Sequence, residues 1–272
     1  MPKVTSVLLL VLSTCYVGSL KAQALVVESF NLRYDNPADG ANAWPHRRAM
    51  VKEHLQNLHP DLVGLQEVLA HQWQWLGQQL PEYGQLGVGR DDGKQAGEFV
   101  PVLYRLDRLE LKKNGYFWLS ETPDKVGSIG PGAHLPRITS WALFYDKQSQ
   151  NSFCFFNTHF SHVSDNARQH AAKLLLAQIT NLCEGLPVVI SGDFNASPSD
   201  TTYQLLTERL SDTADKLAPA TFNGFGKAKS AARIDYIFTD KAIGSSQYQT
   251  HQVIKDGVYI SDHFPISAKL IF

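Results

Sequence analysis

The chain has 272 residues, 43% hydrophobic and 19% charged, with a formal net charge of −1. That balance is ordinary for a globular protein. It argues against a strongly basic nucleic-acid-binding surface, though not against a local groove. No Gly/Ser tract, long charge run or solenoid-length repeat divides the chain, so one domain is expected.

Lys3 is the only charge before the short apolar core Val7 to Leu12, and Ala22-Gln23-Ala24 offers small residues where a signal peptidase reads. Residues 1–24 are therefore expected to be a secretory leader, with export to the periplasm or the medium, and residues 25–272 the mature domain. The apolar core is too short to span a bilayer. A buried N-terminal strand and a lipoprotein anchored at Cys15 are the alternatives, and Thr14 departs from the small residue usual before a lipoprotein cysteine. Cleavage removes Lys3 and Lys21 and no acid, leaving 23 basic against 26 acidic residues, a net charge of −3.

Apolar runs follow at 25–30, 61–66, 99–104, 138–145, 153–158, 187–191, 234–238 and 264–272. Each has the length of a strand. Three amphipathic stretches interrupt them. One begins at Pro45, carries Met50, Val51, Leu55 and Leu58, and ends before Pro60. Another runs from His71 to Leu80 and stops at Pro81. The last runs from Asn166 to Cys183 and is terminated by Gly185-Leu186-Pro187. Strands outnumber helices, which suits two packed, mostly antiparallel sheets with helices outside better than an alternating parallel sheet. Of the cysteines left after cleavage, Cys154 falls in a strand and Cys183 near a helix end. They would pair in an oxidising compartment, but two separate buried thiols are the expectation, since cysteine packs well as a small apolar residue.

Polar groups recur at the ends of these runs. Asn31, Glu67, Glu98, His159, Asp193, Asp235 and His263 each stand at or just past one. Packing alone does not explain so many, and they point to one site where several strands terminate. In Ser191-Gly192-Asp193-Phe194-Asn195-Ala196, alternation along a strand turns Asp193 and Asn195 one way and Phe194 into the protein. Turn-forming preference is the bland account of such a run. Arg33 follows Asn31 by two and would share its strand face, and Arg137 opens the run at 138. A guanidinium suits bidentate contact with phosphate, and a surface salt bridge is the competing role for each. The loop Thr221 to Gly226, with Trp44 and Trp118, would wall a substrate or else belong to the core, the expectation for Trp118.

In order along the chain, Phe30-Asn31-Leu32-Arg33, Leu65-Gln66-Glu67-Val68, Asn157-Thr158-His159-Phe160, Gly192-Asp193-Phe194-Asn195, Arg233-Ile234-Asp235-Tyr236-Ile237 and Ser261-Asp262-His263-Phe264-Pro265 resemble the motifs of the endonuclease/exonuclease/phosphatase superfamily. The resemblance spans residues 30 to 265. It implies a four-layer α/β/β/α sandwich with the site at one edge of the two sheets, and metal-assisted hydrolysis of a phosphoester. Glu67 would ligate Mg²⁺, with Mn²⁺ able to substitute, because such ions take hard oxygen ligands. Asn31 would be a second ligand or water anchor, with Asp262 near the metal. Asp235 would orient His263, the acid/base or phosphate-binding imidazole, and Glu98 would orient His159. Asp193 with Asn195 would position the attacking water or the leaving group, and Arg33 and Arg137 would bind phosphate.

The implied substrate is a nucleic acid, a phospholipid head group or a small phosphate ester. A phosphodiester leads, a phosphomonoester of a sugar or inositol is the alternative, and the chain is expected to act as a monomer without a stable protein partner. A non-catalytic secreted binding module would be expected to lose these residues piecemeal, whereas all are present here.

Overall fold

The computed structural model describes residues 24–229 and 232–272. Apart from Ala24, the expected leader lies outside the described residues. The strands are, in chain order, β1 Leu25–Asn31, β2 Leu62–Gln66, β3 Tyr83–Leu86, β4 Val102–Arg105, β5 Leu109–Trp118, β6 Ile138–Asp146, β7 Asn151–His159, β8 Val188–Asp193, β9 Leu210–Asp212, β10 Asp235–Asp240, β11 Gly244–Thr250, the short pair β12 Ile254–Lys255 and β13 Val258–Tyr259, and β14 Ile266–Ile271. The helices are α1 Trp44–Leu58, α2 Ala70–Gln79, α3 Asp165–Leu182 and α4 Thr201–Thr207. None of the helices among the described residues is long and apolar enough to cross a membrane.

Two six-stranded sheets form, in the orders β11-β14-β1-β2-β4-β3 and β5-β6-β7-β8-β10-β9. Each is mixed but mainly antiparallel, with one parallel pair at its centre, β1 with β2 and β7 with β8. The sheets pack face to face through Leu25, Val27, Phe144, Phe153, Phe155, Val189 and Ile266. α1 and α2 cover the outer face of the first sheet with Met50, Val51, Leu55 and Leu76 against Phe30, Val63 and Leu65. α3 and α4 cover the second with Ala172, Leu175, Ile179 and Leu206 against Phe156, Ile190 and Phe238. The result is the α/β/β/α sandwich.

The eight apolar runs correspond to the eight inner strands of the two large sheets; the strands missed are β3, β5, β9 and β11, which are the four edges of those sheets, and the short pair β12 and β13. An inner strand is buried on both faces and reads as a continuous apolar run. An edge strand faces water and carries polar residues, such as Lys112-Lys113-Asn114 in β5, where the register also shifts between Leu111 and Lys113. β4 begins at Val102 rather than 99, because Pro101 has no N–H to donate and Phe99 makes only isolated bridges to Val68 and Gly89. Cys154 and Cys183 are joined in a disulfide, not held as separate thiols, because α3 returns its C-terminal end over β7 with the two Cα atoms 6.2 Å apart. Of the two roles open to Trp44, the core is the one it takes: it is buried against Trp75 in the helix layer and does not line the strand-end cavity. Trp118 is in the core as expected, its indole N–H donating to the Arg90 carbonyl at 2.6 Å.

Polar groups fix the sheets at both ends of their interface. Arg108 spans the sheets at one end, donating to Asp61 at 2.7 Å and to Asp146 at 3.1 Å. Near the other end Asn157 accepts from Gln66 at 2.7 Å and from Ser191 at 3.0 Å, and donates to the Leu65 carbonyl at 2.7 Å. Gly64 permits this approach, since a Cβ there would lie 1.9 Å from Ser191 Oγ. Every donor in this cluster has a partner, which makes it a rigid, register-fixing contact directly beneath the strand ends.

Candidate active site

β1, β2, β7 and β8 all end at one edge of the sandwich, and β10 begins there because it runs antiparallel to β8 with Asp235 opposite Asp193. His159 is opposite Asp193 in the parallel pair β7/β8. Gly192 sets the close spacing, because a Cβ there would lie 2.5 Å from the Thr158 carbonyl oxygen. Topology thus gathers side chains from residues 31 to 263 around a cavity of about 620 Å³. Its walls include Arg33, Glu67, Glu98, Arg137, His159, Asp193, Asn195, Asp262 and His263. Asn31 and Asp235 are buried behind them.

Asp193 is the centre. Its Oδ2 accepts from Asn31 Nδ2 at 2.9 Å and lies 3.5 Å from His159 Nε2 and 3.8 Å from His263 Nε2. Its Oδ1 accepts the Asn195 backbone N–H at 3.0 Å. Burial first, then the charge of Asp235, pushes the Asp193 carboxyl up to about 7. His263 Nδ1 is 2.8 Å from Asp235 Oδ2, which fixes the ring and leaves Nε2 toward the cavity. Burial alone would lower its pKa, but Asp235 and Asp193 outweigh that and hold it well above the usual histidine value. His159 goes the other way: burial, reinforced by Arg137 and Arg90, holds it well below that value, so it is a neutral imidazole. The two histidines therefore offer different chemistry, one a cation and the other a neutral donor or acceptor.

The backbone is strained where the site needs it. Arg33, Glu67 and Asn195 all have positive φ, at 59°, 57° and 49°. Asn195 still joins Asp193 in the cavity wall, but through a left-handed turn after β8 rather than by strand alternation; Phe194 is fully buried as expected. Arg33 likewise lies past the end of β1, so the shared strand face with Asn31 does not exist. Instead it forks onto Asp39 at 3.1 Å and lies 3.7 Å from Glu67 and 3.6 Å from Asp262.

Of the three residues expected at the metal, Glu67 has a buried Oε2 without a hydrogen-bond partner. It offers a ligand atom within 4.8 Å of others on His159 and Asp193. Asn31 turns its amide nitrogen to Glu67 at 3.2 Å and to Asp193, while its oxygen accepts the Arg33 N–H, so here it bridges two carboxylates. Asp262 is held beside Arg33, outside that group of ligand atoms. Glu98 does not hydrogen-bond His159: the separation from Nδ1 is 4.0 Å, and both Glu98 oxygens accept from Arg90, at 2.7 and 3.0 Å. Arg90 faces Glu98 across a tight loop whose backbone also pairs, and sequence reasoning overlooked that nearer partner. Phe222 packs on His263 with ring centroids 5.1 Å apart, as the wall expected of its loop. Sequence reasoning also missed His162, which accepts from Arg137 Nη2 at 3.0 Å in the cavity wall. Its one signal was position, three residues past His159 at a strand end.

The model of the Endonuclease/Exonuclease/phosphatase family matches residues 29–263. Among solved structures, the chain is similar to an endonuclease/exonuclease/phosphatase from Bacteroides vulgatus, at 36% identity and TM-score 0.87 over 91% of this chain and 98% of that one. It is also similar to a mannosyl-6-phosphatase of Bacteroides thetaiotaomicron VPI-5482, at 34% identity and TM-score 0.83 over 91% of this chain and all (100%) of that one. D. rerio TDP2, complexed with a single strand DNA product, shares the fold at 17% identity and TM-score 0.75, over 92% of this chain and 99% of that one. An uncharacterized protein of Acanthamoeba polyphaga mimivirus is 25% identical over 244 residues, 82% of this chain and 90% of its own length.

Proposed function

The chain belongs to the endonuclease/exonuclease/phosphatase family of metal-dependent phosphoester hydrolases, and on that premise we propose that it is a Mg²⁺-dependent hydrolase of small phosphate esters, foremost sugar phosphomonoesters. The observation that carries the chemistry is Asp193, a buried carboxylate between a cationic and a neutral histidine at the floor of an open cavity. The monoester reading, placed ahead of the diester that led from sequence, is supported by the 34% identity to a mannosyl-6-phosphatase. The expected net charge of −3 after cleavage supports it too, being a poor match to a polyanionic backbone.

The residues present fit a divalent cation. Glu67 Oε2, which makes no hydrogen bond though Arg33 lies 3.7 Å away, and the Asp193 carboxylate are hard oxygen donors, the type such ions take. A cation bound there supplies charge neutralisation and polarises the phosphoryl group. The side chains supply the rest. Arg33 and Arg137 face phosphate oxygens from the wall. His263, held by Asp235, presents a charged Nε2–H to the phosphate. His159 presents a neutral ring nitrogen. Asp193, oriented by the Asn195 and Asn31 donors, takes the proton of the attacking water.

A panel with Mg²⁺ tests the reading: hexose 6-phosphate, p-nitrophenyl phosphate, inositol phosphates, bis-p-nitrophenyl phosphate, sphingomyelin, single- and double-stranded DNA, and RNA. Highest kcat/KM on the sugar monoester is expected. A preference for any diester overturns the monoester assignment and leaves the hydrolase. Export is part of the same proposal, supported by the leader pattern and by a disulfide, which persists in oxidising compartments. Mass spectrometry of the exported fraction should find Leu25 at the N-terminus, and an intact Met1 there rejects cleavage.

A further inference from the structure

The cavity floor is closed, and its wall is not. Asp193, His159 and His263 are 1–5% exposed, whereas His162 in the same cavity is an exposed residue. A phosphate seated on the floor therefore directs the rest of its ester outward, past His162. The protonation of that ring follows from its partner. His162 Nδ1 is 3.0 Å from Arg137 Nη2. A guanidinium has donors only and keeps its proton. Nδ1 must then be the acceptor, and the ring is the neutral tautomer with its hydrogen on Nε2. Burial and the Arg137 charge, which hold the His162 pKa down, agree with that form. Among the described residues no hydrogen bond reaches Nε2.

Arg137 is itself buried, with its Nη1 unpartnered. The pair thus sets two unlike donors side by side: a fixed cation that suits phosphate, and a neutral N–H that adds no charge. A neutral donor at the outer wall matches a neutral acceptor. Leu135, 45% exposed, gives the same wall an apolar surface for the carbon face of a ring.

We propose that His162 is a specificity-determining residue whose Nε2–H hydrogen-bonds a hydroxyl or ring oxygen of a polyol leaving group while Arg137 holds the phosphate. This rests on the reading of the site as a phosphoester hydrolase. The test compares hexose 6-phosphate with phenyl phosphate, which has no hydroxyl, in the wild type, H162F and H162Q, with thermal unfolding as the control for folding.

One neutral hydrogen bond is worth about 0.5–1.5 kcal/mol net, roughly a two- to twelvefold effect. The kcat/KM ratio of sugar to phenyl ester should fall by roughly that factor in H162F, chiefly through KM, since the contact forms in ground and transition state alike. H162Q, which keeps an N–H, should recover most of it. An unchanged ratio overturns the proposal, whether both substrates decline together, as when His162 acts only by steadying Arg137, or neither changes. If the wild type hydrolyses neither monoester, the monoester reading fails separately. The ratio between a glycerol-headed diester and bis-p-nitrophenyl phosphate then carries the same test with the same outcomes.

Discussion

His263 and His54 are both buried against a carboxylate, His263 Nδ1 at 2.8 Å from Asp235 and His54 Nε2 at 2.5 Å from Glu28. In both, burial lowers the pKa and the acid more than restores it, so each stands above the usual histidine value. Their surroundings differ. The second nitrogen of His263 faces the cavity near Asp193, with arginines in the same wall. The ring of His54, on α1, is set edge-on to Phe30 and His251, with centroids 6.0 and 5.1 Å away. No group of three metal-ligating side chains among the described residues includes it. The same pair is thus a tool at the strand ends and a clamp between β1 and α1. His54 also borders a cavity, with Met50, His251 and Ile254, so what decides is whether the free ring nitrogen faces the arginines and second carboxylate that can hold a substrate's charge.

The largest effects expected are on turnover. Asp193→Asn and His263→Ala should each lower kcat by at least about a hundredfold, within the 10²–10⁴ range of acid/base groups. Thermal unfolding should hardly shift, and Asp193→Asn should raise the midpoint slightly by relieving repulsion from Asp235 and Glu67. Near-normal turnover would remove either residue from the chemistry, and unfolding would make it structural, like His54. Chelation comes next: EDTA should abolish hydrolysis and Mg²⁺ restore it, whereas full activity in EDTA rejects a metal at Glu67 and Asp193.

Glu28→Gln should do the reverse of Asp193→Asn. It should cost about 1–3 kcal/mol in urea unfolding, the penalty of an ill-satisfied buried group, and leave kcat per folded molecule intact. A loss of kcat would erase the contrast between the two pairs. The smallest effect is in pH dependence. The folded pKa of His54 is raised, so its stabilisation is complete below the unfolded value of about 6.5 and is lost as pH rises through the folded value. The stability gap between wild type and Glu28→Gln should therefore be widest in mild acid and narrow in alkali. At His263 the matching variant, Asp235→Asn, removes the charge that most raises the ring, so the alkaline limb of its residual rate should move to lower pH. An unmoved limb would mean that some other group titrates there.

Much of this was legible before the fold. Asp193, Glu67, His159, Asp235 and His263 all stand at the ends of apolar runs, and runs long enough to be inner strands must end at a sheet edge. Edge strands escaped notice because their water-facing sides carry polar residues, and α4 because its Thr201-Thr202 start has little helix propensity. Arg33 and Asn195 were assigned by strand alternation and then obeyed a left-handed turn. Periodicity says nothing about φ just past the last paired residue.

By itself, then, the sequence determined that Glu67, His159, Asp193, Asp235 and His263 stand at strand ends on one working edge, though not that His162 joins them there. Those placements follow from burial patterns and residue type, which are local. Only the tertiary structure decided who bonds whom: Glu98 with Arg90 rather than His159, Asn31 between Glu67 and Asp193, Arg137 with His162, and Cys154 with Cys183. Those choices are set by how the backbone brings side chains within hydrogen-bonding reach, across a tight loop for Arg90 and Glu98 and between different segments of the chain for the others. They depend on sheet register and on the closeness that Gly64 and Gly192 allow, and no local pattern of residues encodes either.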